Sequence, residues 1–176
     1  MSQEAVLLAQ LGPGAKPEAM AAAARGLVER VSSGEADAAA LVPALPGLLT
    51  HAAPEVRRAG TALATLLLDG AAREEAVRAR LRDEDAGVRL EATGRLADLA
   101  DPALRGALVV MLEDPAFEVR FEAARGLASL GHAAGLDVLL QALDVAALRF
   151  RALGALGELG EAGAARALPA VQRLFG

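Results

Sequence analysis

At 176 residues the chain is the length of one ordinary domain, and with 54% hydrophobic but only 2% aromatic residues, and neither Trp nor Tyr, any core it builds must be aliphatic. The absence of Cys excludes disulfides, thiolate chemistry and cysteine-ligated zinc. The net charge of −5 opposes non-specific attraction to nucleic acid or anionic membrane, because both depend on a positive field.

Residues 1–16 read as an N-terminal extension, a short helix closed by Gly12-Pro13-Gly14. The start MSQEAVLLAQLGPG has neither the basic opening nor the cleavage pattern of a signal peptide, and no uncharged apolar run is long enough to span a bilayer. A cytoplasmic protein without membrane insertion is therefore expected. Residues 17–52 hold two apolar stretches, EAMAAAARGLVERV and DAAALVPALPGLLTHA, a degenerate first helix pair with Ser33 or Asp37 as candidate caps.

From residue 54 a pattern recurs four times, over 54–84, 85–114, 115–144 and 145–176. Its first helices are APEVRRAGTALATLL, DAGVRLEATGRLADL, PAFEVRFEAARGLASL and VAALRFRALGALGEL. Aligned on Val56, Val88, Val119 and Leu148, they carry apolar or small residues at that position and then four, eight and eleven further on, which is one face of an α-helix. The sets are Val56, Gly60, Ala64, Leu67; Val88, Ala92, Leu96, Leu99; Val119, Ala123, Leu127, Leu130; and Leu148, Ala152, Leu156, Leu159. The second helices read AREEAVRARL, PALRGALVVML, GLDVLLQAL and ARALPAVQRLF. Asp83, Asp114 and Asp144 precede the aligned residues, where a carboxylate can accept from the free amides of the incoming helix.

An Asp, a short gap, Val-Arg, then Ala and Leu-Gly-x-Leu-Gly resembles the short HEAT-like repeat of the bilin-lyase type, most clearly over Asp114 to Gly131 and Leu148 to Gly160. The resemblance covers roughly Pro54 to Phe175, with a weaker match over Glu18 to Ala52. It implies an all-α, right-handed solenoid of stacked antiparallel helix pairs forming a single repeat domain. It also implies that Arg57, Arg89, Arg120 and Arg149 form a structural ladder with Asp83, Asp114 and Asp144. Function is left open, since proteins with such repeats include lyases, hydroxylases, DNA-repair proteins and scaffolds.

Sites of chemistry are sparse. His51 and His132 are each followed by Ala and lack the His-Glu pairs of the metal-binding branch, so each reads as a helix-end or loop residue and no metal or cofactor is expected. Ser129 and His132 lack a nucleophile elbow. Asp83, Glu84 and Asp85 stand beside Arg78, Arg80 and Arg82, as a capped and solvated turn would. Arg78, Arg82 and Arg105 are candidate partner contacts on the second helices, but Glu74, Glu75 and Glu113 interrupt the basic series and, with neither Trp nor Tyr, there is little to stack on a base, so the sequence argues against nucleic acid. Two residues past the aligned position stand Arg58, Leu90, Phe121 and Phe150. The last three form either an exposed apolar row, a partner or self-association face, or a row buried against the next repeat, and burial is favoured. The expectation is a non-enzymatic scaffold or adaptor for a protein or peptide, with a nucleic-acid binder or a bilin-lyase-type enzyme subunit as the alternatives.

Overall fold

Helices form wherever the apolar spacing recurs. A computed structural model describes residues 3–12 and 14–175, and the regular structure among them is helical throughout. Pro13 of the expected Gly-Pro-Gly stop lies outside the described residues. The chain divides into two units, residues 1–95 and 96–176.

In the first unit lie α1 (Gln3–Ala9), α2 (Pro17–Ser32), α3 (Ala38–Leu41), α4 (Leu45–Leu49), α5 (Pro54–Leu67) and α6 (Gly70–Arg80), and α7 (Ala86–Leu99) begins there. Its core joins Ala21, Ala24 and Leu27 of α2 to Leu41, Leu45 and Leu48 of α3 and α4 and to Val56, Leu63 and Ala64 of α5. Small side chains let these helices approach closely: a Cβ on Gly60 would lie 2.8 Å from the Cβ of Leu48. The second half of the degenerate first pair is broken into α3, a 3₁₀ turn over Val42–Ala44 and α4. Pro43 and Pro46 cannot donate to a continuous helical ladder there. Of the two candidate caps, Asp37 accepts from the Ala39 amide at 2.9 Å and opens α3, while Ser33 sits at the C-cap of α2 and donates to the Arg30 carbonyl.

The second unit contains α8 (Arg105–Met111), α9 (Phe117–Ser129), α10 (Leu136–Ala142), α11 (Arg149–Glu158) and α12 (Gly160–Phe175). Phe121, Ala124 and Ala128 of α9, Leu139 and Ala142 of α10, Leu143, and Ala152, Ala155 and Leu156 of α11 make its core. In three of the four aligned sets the first three positions are buried and the fourth half-buried; in α11 the first, Leu148, is also half-buried.

Each of α7, α9 and α11 ends in a left-handed residue twelve positions past the aligned one: Ala100 (φ 47°), Gly131 (φ 68°) and Gly160 (φ 62°). At Gly131 the turn is closed by the His132 amide on the Leu127 carbonyl and the Gly131 amide on the Ala128 carbonyl, both 2.8 Å, which is the Schellman arrangement. Ala100 adopts the same conformation with a Cβ in the way.

The ladder arginines do one thing in common. Arg57 Nη1 donates to the carbonyls of His51 and Ala52, Arg89 Nη1 to those of Asp83 and Glu84, and Arg120 Nη1 to those of Asp114 and Pro115; Arg149 Nε reaches the Leu143 carbonyl. Every one spans six residues back into its own inter-repeat turn. Arg57 also grips Asp83 through Nε and Nη2 at 2.8 and 2.7 Å, with the two side chains only 9% and 7% exposed. Burial alone would raise the Asp83 carboxyl. The hydrogen bonds from Arg57 and the Asp85 amide, with the charges of Arg57 and Arg80, outweigh that and hold it below the ordinary carboxylate range. The hydrogen bond to Asp83 raises the Arg57 guanidinium against its own burial. Asp83 and Asp114 each accept from the amide two residues on, while Asp85 caps α7 through the Val88 amide. Asp144 departs from the expected ladder. It is exposed and pairs with Arg173 at 2.8 Å, because α12 brings an arginine to that turn.

Three outcomes are expected. Ala100→Gly relieves the left-handed strain and stabilises the protein by about 1 kcal/mol, read as a rise in the chemical-denaturation midpoint. Leu127→Asp, at a fully buried position, abolishes cooperative melting because an unpaired charge there costs several kcal/mol; a circular-dichroism melt like the parent's would show the helix register to be wrong. Asp83→Asn leaves the Arg57 charge buried without its carboxylate and costs about 3 kcal/mol. Because the folded-state pKa of Asp83 is depressed, its contribution is fully present above the unfolded value of 3.8 and is lost as pH falls through the lower folded value. The gap between parent and Asp83→Asn should therefore narrow in denaturant titrations taken below that pH.

Candidate partner-binding groove

The residues predicted for partner contact fall in both units, Arg78, Arg82 and Leu90 in the first and Arg105, Phe121 and Phe150 in the second. Phe121 is fully buried, packed in the α9–α11 core beneath the guanidinium of Arg151, whose Cζ stands 5.1 Å from the ring centroid. An exposed row of Leu90, Phe121 and Phe150 is thus ruled out at its middle member, and the burial alternative holds there. Leu90 is half-buried on α7, and Phe150 is 78% exposed at the start of α11. Arg78 is tied to Glu74 at 2.6 Å on α6, in the favourable order one helical turn apart. Arg82, in the turn after α6, and Arg105, at the start of α8, are exposed and carry no ion pair among the described residues. Arg73, Arg166 and Arg173 are bound by Asp69, Asp137 and Asp144.

The two histidines have the same local job. Nδ1 of His51 accepts from the Ala53 amide at 3.0 Å and Nδ1 of His132 from the Ala134 amide at 3.3 Å, the two-residue turn that Asp37, Asp83, Asp101 and Asp114 make elsewhere. Ser129 Oγ donates to the Gly126 carbonyl, so Ser129 and His132 are each engaged with backbone.

A groove that the sequence did not announce lies in the first unit. An open cleft of about 230 Å³ is lined by Arg25, Val28 and Glu29 of α2, by Arg58, Ala59 and Ala62 of α5, and by Glu91 and Arg95 of α7. Val28, Ala59 and Ala62 supply an apolar floor. Arg95 Nε is held by Glu91 Oε1 at 2.8 Å. Arg25, Glu29 and Arg58 are exposed and have no ion-pair partner among the described residues, so the groove offers unspent charge of both signs over a small-residue floor. Only Arg58 stands out in the repeat alignment, as the polar residue where the later repeats have Leu90, Phe121 and Phe150. Arg25 and Glu29 belong to the degenerate first pair, and the one sequence signal linking the others is the four-residue spacing of Arg25 with Glu29 and of Glu91 with Arg95.

Around Glu122 in the second unit, charge is spent internally. Glu122, buried on α9, accepts from Arg125 Nε at 2.8 Å and from Arg151 Nη2 at 2.6 Å, and Arg125 Nη2 reaches Asp98 at 2.7 Å. Burial alone would lower the Arg125 guanidinium, and the hydrogen bonds to Glu122 and Asp98 raise it instead. Two acids and two arginines close a balanced network.

Among the described residues, no helix is long and apolar enough to cross a membrane. Residues 74–147 match the family model for HEAT repeats. No curated protein matches the chain. Among solved structures the chain is similar to that of YibA from Escherichia coli, at 22% identity and a TM-score of 0.71, covering 98% of this chain and 62% of that one. It is also similar to an engineered protein, at 24% identity and a TM-score of 0.56, covering 97% of this chain and 85% of that one. The chain therefore spans about 62% of the length of YibA, and at these identities the likeness concerns fold alone. Helix pairs, recurring turn-clamping arginines and the matched repeats agree: residues 74–147 are HEAT repeats, and the chain has an all-α, solenoid-type fold.

Proposed function

We propose that this chain is a non-enzymatic adaptor that holds an extended segment of a partner protein in the groove between α2, α5 and α7. HEAT-repeat scaffolds commonly mediate protein interactions, and the observation carrying the reading for this chain is the unspent charge of Arg25, Glu29 and Arg58 around the floor of Val28, Ala59 and Ala62. A shallow, open groove of this kind suits a peptide backbone with alternating apolar and charged side chains. A small substrate needs more enclosure and a convergent set of perturbed groups. The basic residues of the second helices favour no nucleic-acid reading, since Arg73, Arg78, Arg166 and Arg173 are already paired with carboxylates. The partner's identity and the cytoplasmic compartment belong to this proposal as expectations.

Screening the protein against an immobilised library of short peptides tests it. Peptides retained by the parent should lose at least about tenfold in affinity with Arg58→Glu, equivalent to about 1.4 kcal/mol. Arg105→Glu, which makes the same charge change in the second unit, should bind as the parent does. Equal weakening by both variants would mean attraction by net charge, and no weakening by Arg58→Glu would remove the groove as the site.

A further inference from the structure

The floor of the groove is made of two places that other first helices fill with charge. Three residues past the aligned position α7 has Glu91 and α9 has Glu122, and six past it α9 has Arg125; α5 has Ala59 and Ala62 there. What the counterparts do shows what α5 gives up. Glu122 accepts from Arg125 Nε on its own helix at 2.8 Å and from Arg151 Nη2 on the next first helix at 2.6 Å, and Glu91 accepts from Arg95 Nε at 2.8 Å. Those helices supply the carboxylate for the guanidiniums around them. At Ala59, α5 supplies none, yet Arg25 and Arg58 line the same cleft, exposed and without an ion-pair partner among the described residues. At Ala62 the basic member is missing in turn, and Glu29 lines the cleft in the same unpaired state.

We infer that the groove takes an extended peptide segment with an acidic and a basic side chain two residues apart, the acid seated over Ala59 between Arg25 and Arg58 and the base over Ala62 against Glu29. The partner thus restores from outside the charged pair that α5 lacks. The inference rests on the groove being the partner site and adds what the partner must contain. Helix direction sets the order of charges. Arg58 leans toward the start of α7, its Nη1 3.4 Å from where a Cβ on Gly87 would lie, which makes that end of the groove basic. α2, α5 and α7 are first helices of successive antiparallel pairs and run the same way, so Glu29 stands one turn beyond Arg25, about 6 Å further from the basic end. Side chains on one face of an extended chain repeat about every 6.6–6.8 Å, so residues i and i+2 match that step. A helical occupant fits worse: one turn, about 5.4 Å long and 10 Å across, displaces about 400 Å³, whereas the cleft holds about 230 Å³. The chain itself shows the chemistry of the basic end, since Arg57 takes the Asp83 carboxylate through two donors. Alanines in the floor let the partner's backbone lie close.

Four fluorescein-labelled ten-residue peptides, alike in an Ala, Gly and Val background, test this by fluorescence anisotropy. One carries Glu and Lys two residues apart, one Glu and Lys three apart, one two Glu two apart and one two Lys two apart. The parent should bind the first at least about tenfold more tightly than the other three. Glu29→Lys should move the preference to the two-Glu peptide, and Arg25→Glu combined with Arg58→Glu should move it to the two-Lys peptide. A gained preference also shows that the variant is folded. A parent that binds none of the four or all alike, a preference for the three-residue spacing, or a Glu29→Lys variant that keeps the parent's preference would each overturn the proposal. The groove itself is judged separately. Library peptides that Arg58→Glu releases but that contain no such acid and base would keep the groove and overturn the pairing, whereas a Glu–Lys peptide bound equally by the parent and both variants would remove the groove as the site.

Discussion

A chain of helix pairs has a recurrent backbone problem. At each joint between repeats the chain leaves one helix and enters the next through a turn whose carbonyls have no helical partner, and buried polar groups left unpaired are costly. The arginine following the aligned Val or Leu answers this at each joint in the same way. From the first turn of the incoming helix it reaches back to the carbonyl six residues earlier, and in Arg57, Arg89 and Arg120 also to the one five earlier, which fixes the turn and the entry angle together. A guanidinium suits the task because its several donors lie in one plane, so Arg57 can satisfy two carbonyls and still bind Asp83 side-on. The acids and histidines of the turns play the complementary part, accepting from the amide two residues on.

Once the joints are set, packing asks for small residues. An aliphatic core with few aromatics requires close helix approach to fill space. The positions that permit it are Ala and Gly: Gly60 against Leu48 in the first unit, and Gly135 against Ala124 in the second, where a Cβ would fall 2.5 Å from the Ala124 backbone. Phe121 is the exception that tests the rule, a large ring accommodated because the facing residues Ala152 and Ala155 are small.

Features that recur could be read from the sequence, and features that occur once could not. The four-four-three spacing is stated four times over, and the structure places it on the buried side of the first helices as that repetition predicts; the arginines recur as regularly, but their common task, clamping carbonyls of the preceding turn, is read only from the structure. Asp144 was misread because its neighbours in sequence match those of Asp83 and Asp114, while its partner Arg173 arrives from 29 residues away on α12. Ala100 illustrates the reverse. Its backbone does what Gly131 and Gly160 do, but its identity gives no hint of a left-handed turn, and only the alignment of the three stops exposes it. The groove was invisible for a different reason: Arg25 and Glu29 sit in the pair where the repeat is most degraded, so no periodic signal connects them to Arg58 and Arg95.

Repetition therefore accounts for the scaffold and is nearly silent on function, because whatever is common to all repeats is consumed in holding them together. Arg57 and Glu122 are buried and saturated with partners; a ligand could recruit them only by breaking what stabilises the fold. The side chains free to do anything else are those that depart from their repeat equivalents. Arg58 stands where later repeats have Leu or Phe, and Phe150 is exposed where Phe121 is covered. Such a departure keeps the helix geometry while releasing one side chain from structural duty, which leaves a rigid platform with a few uncommitted groups. A surface built this way loses little conformational entropy on binding, and its specificity rests on few residues.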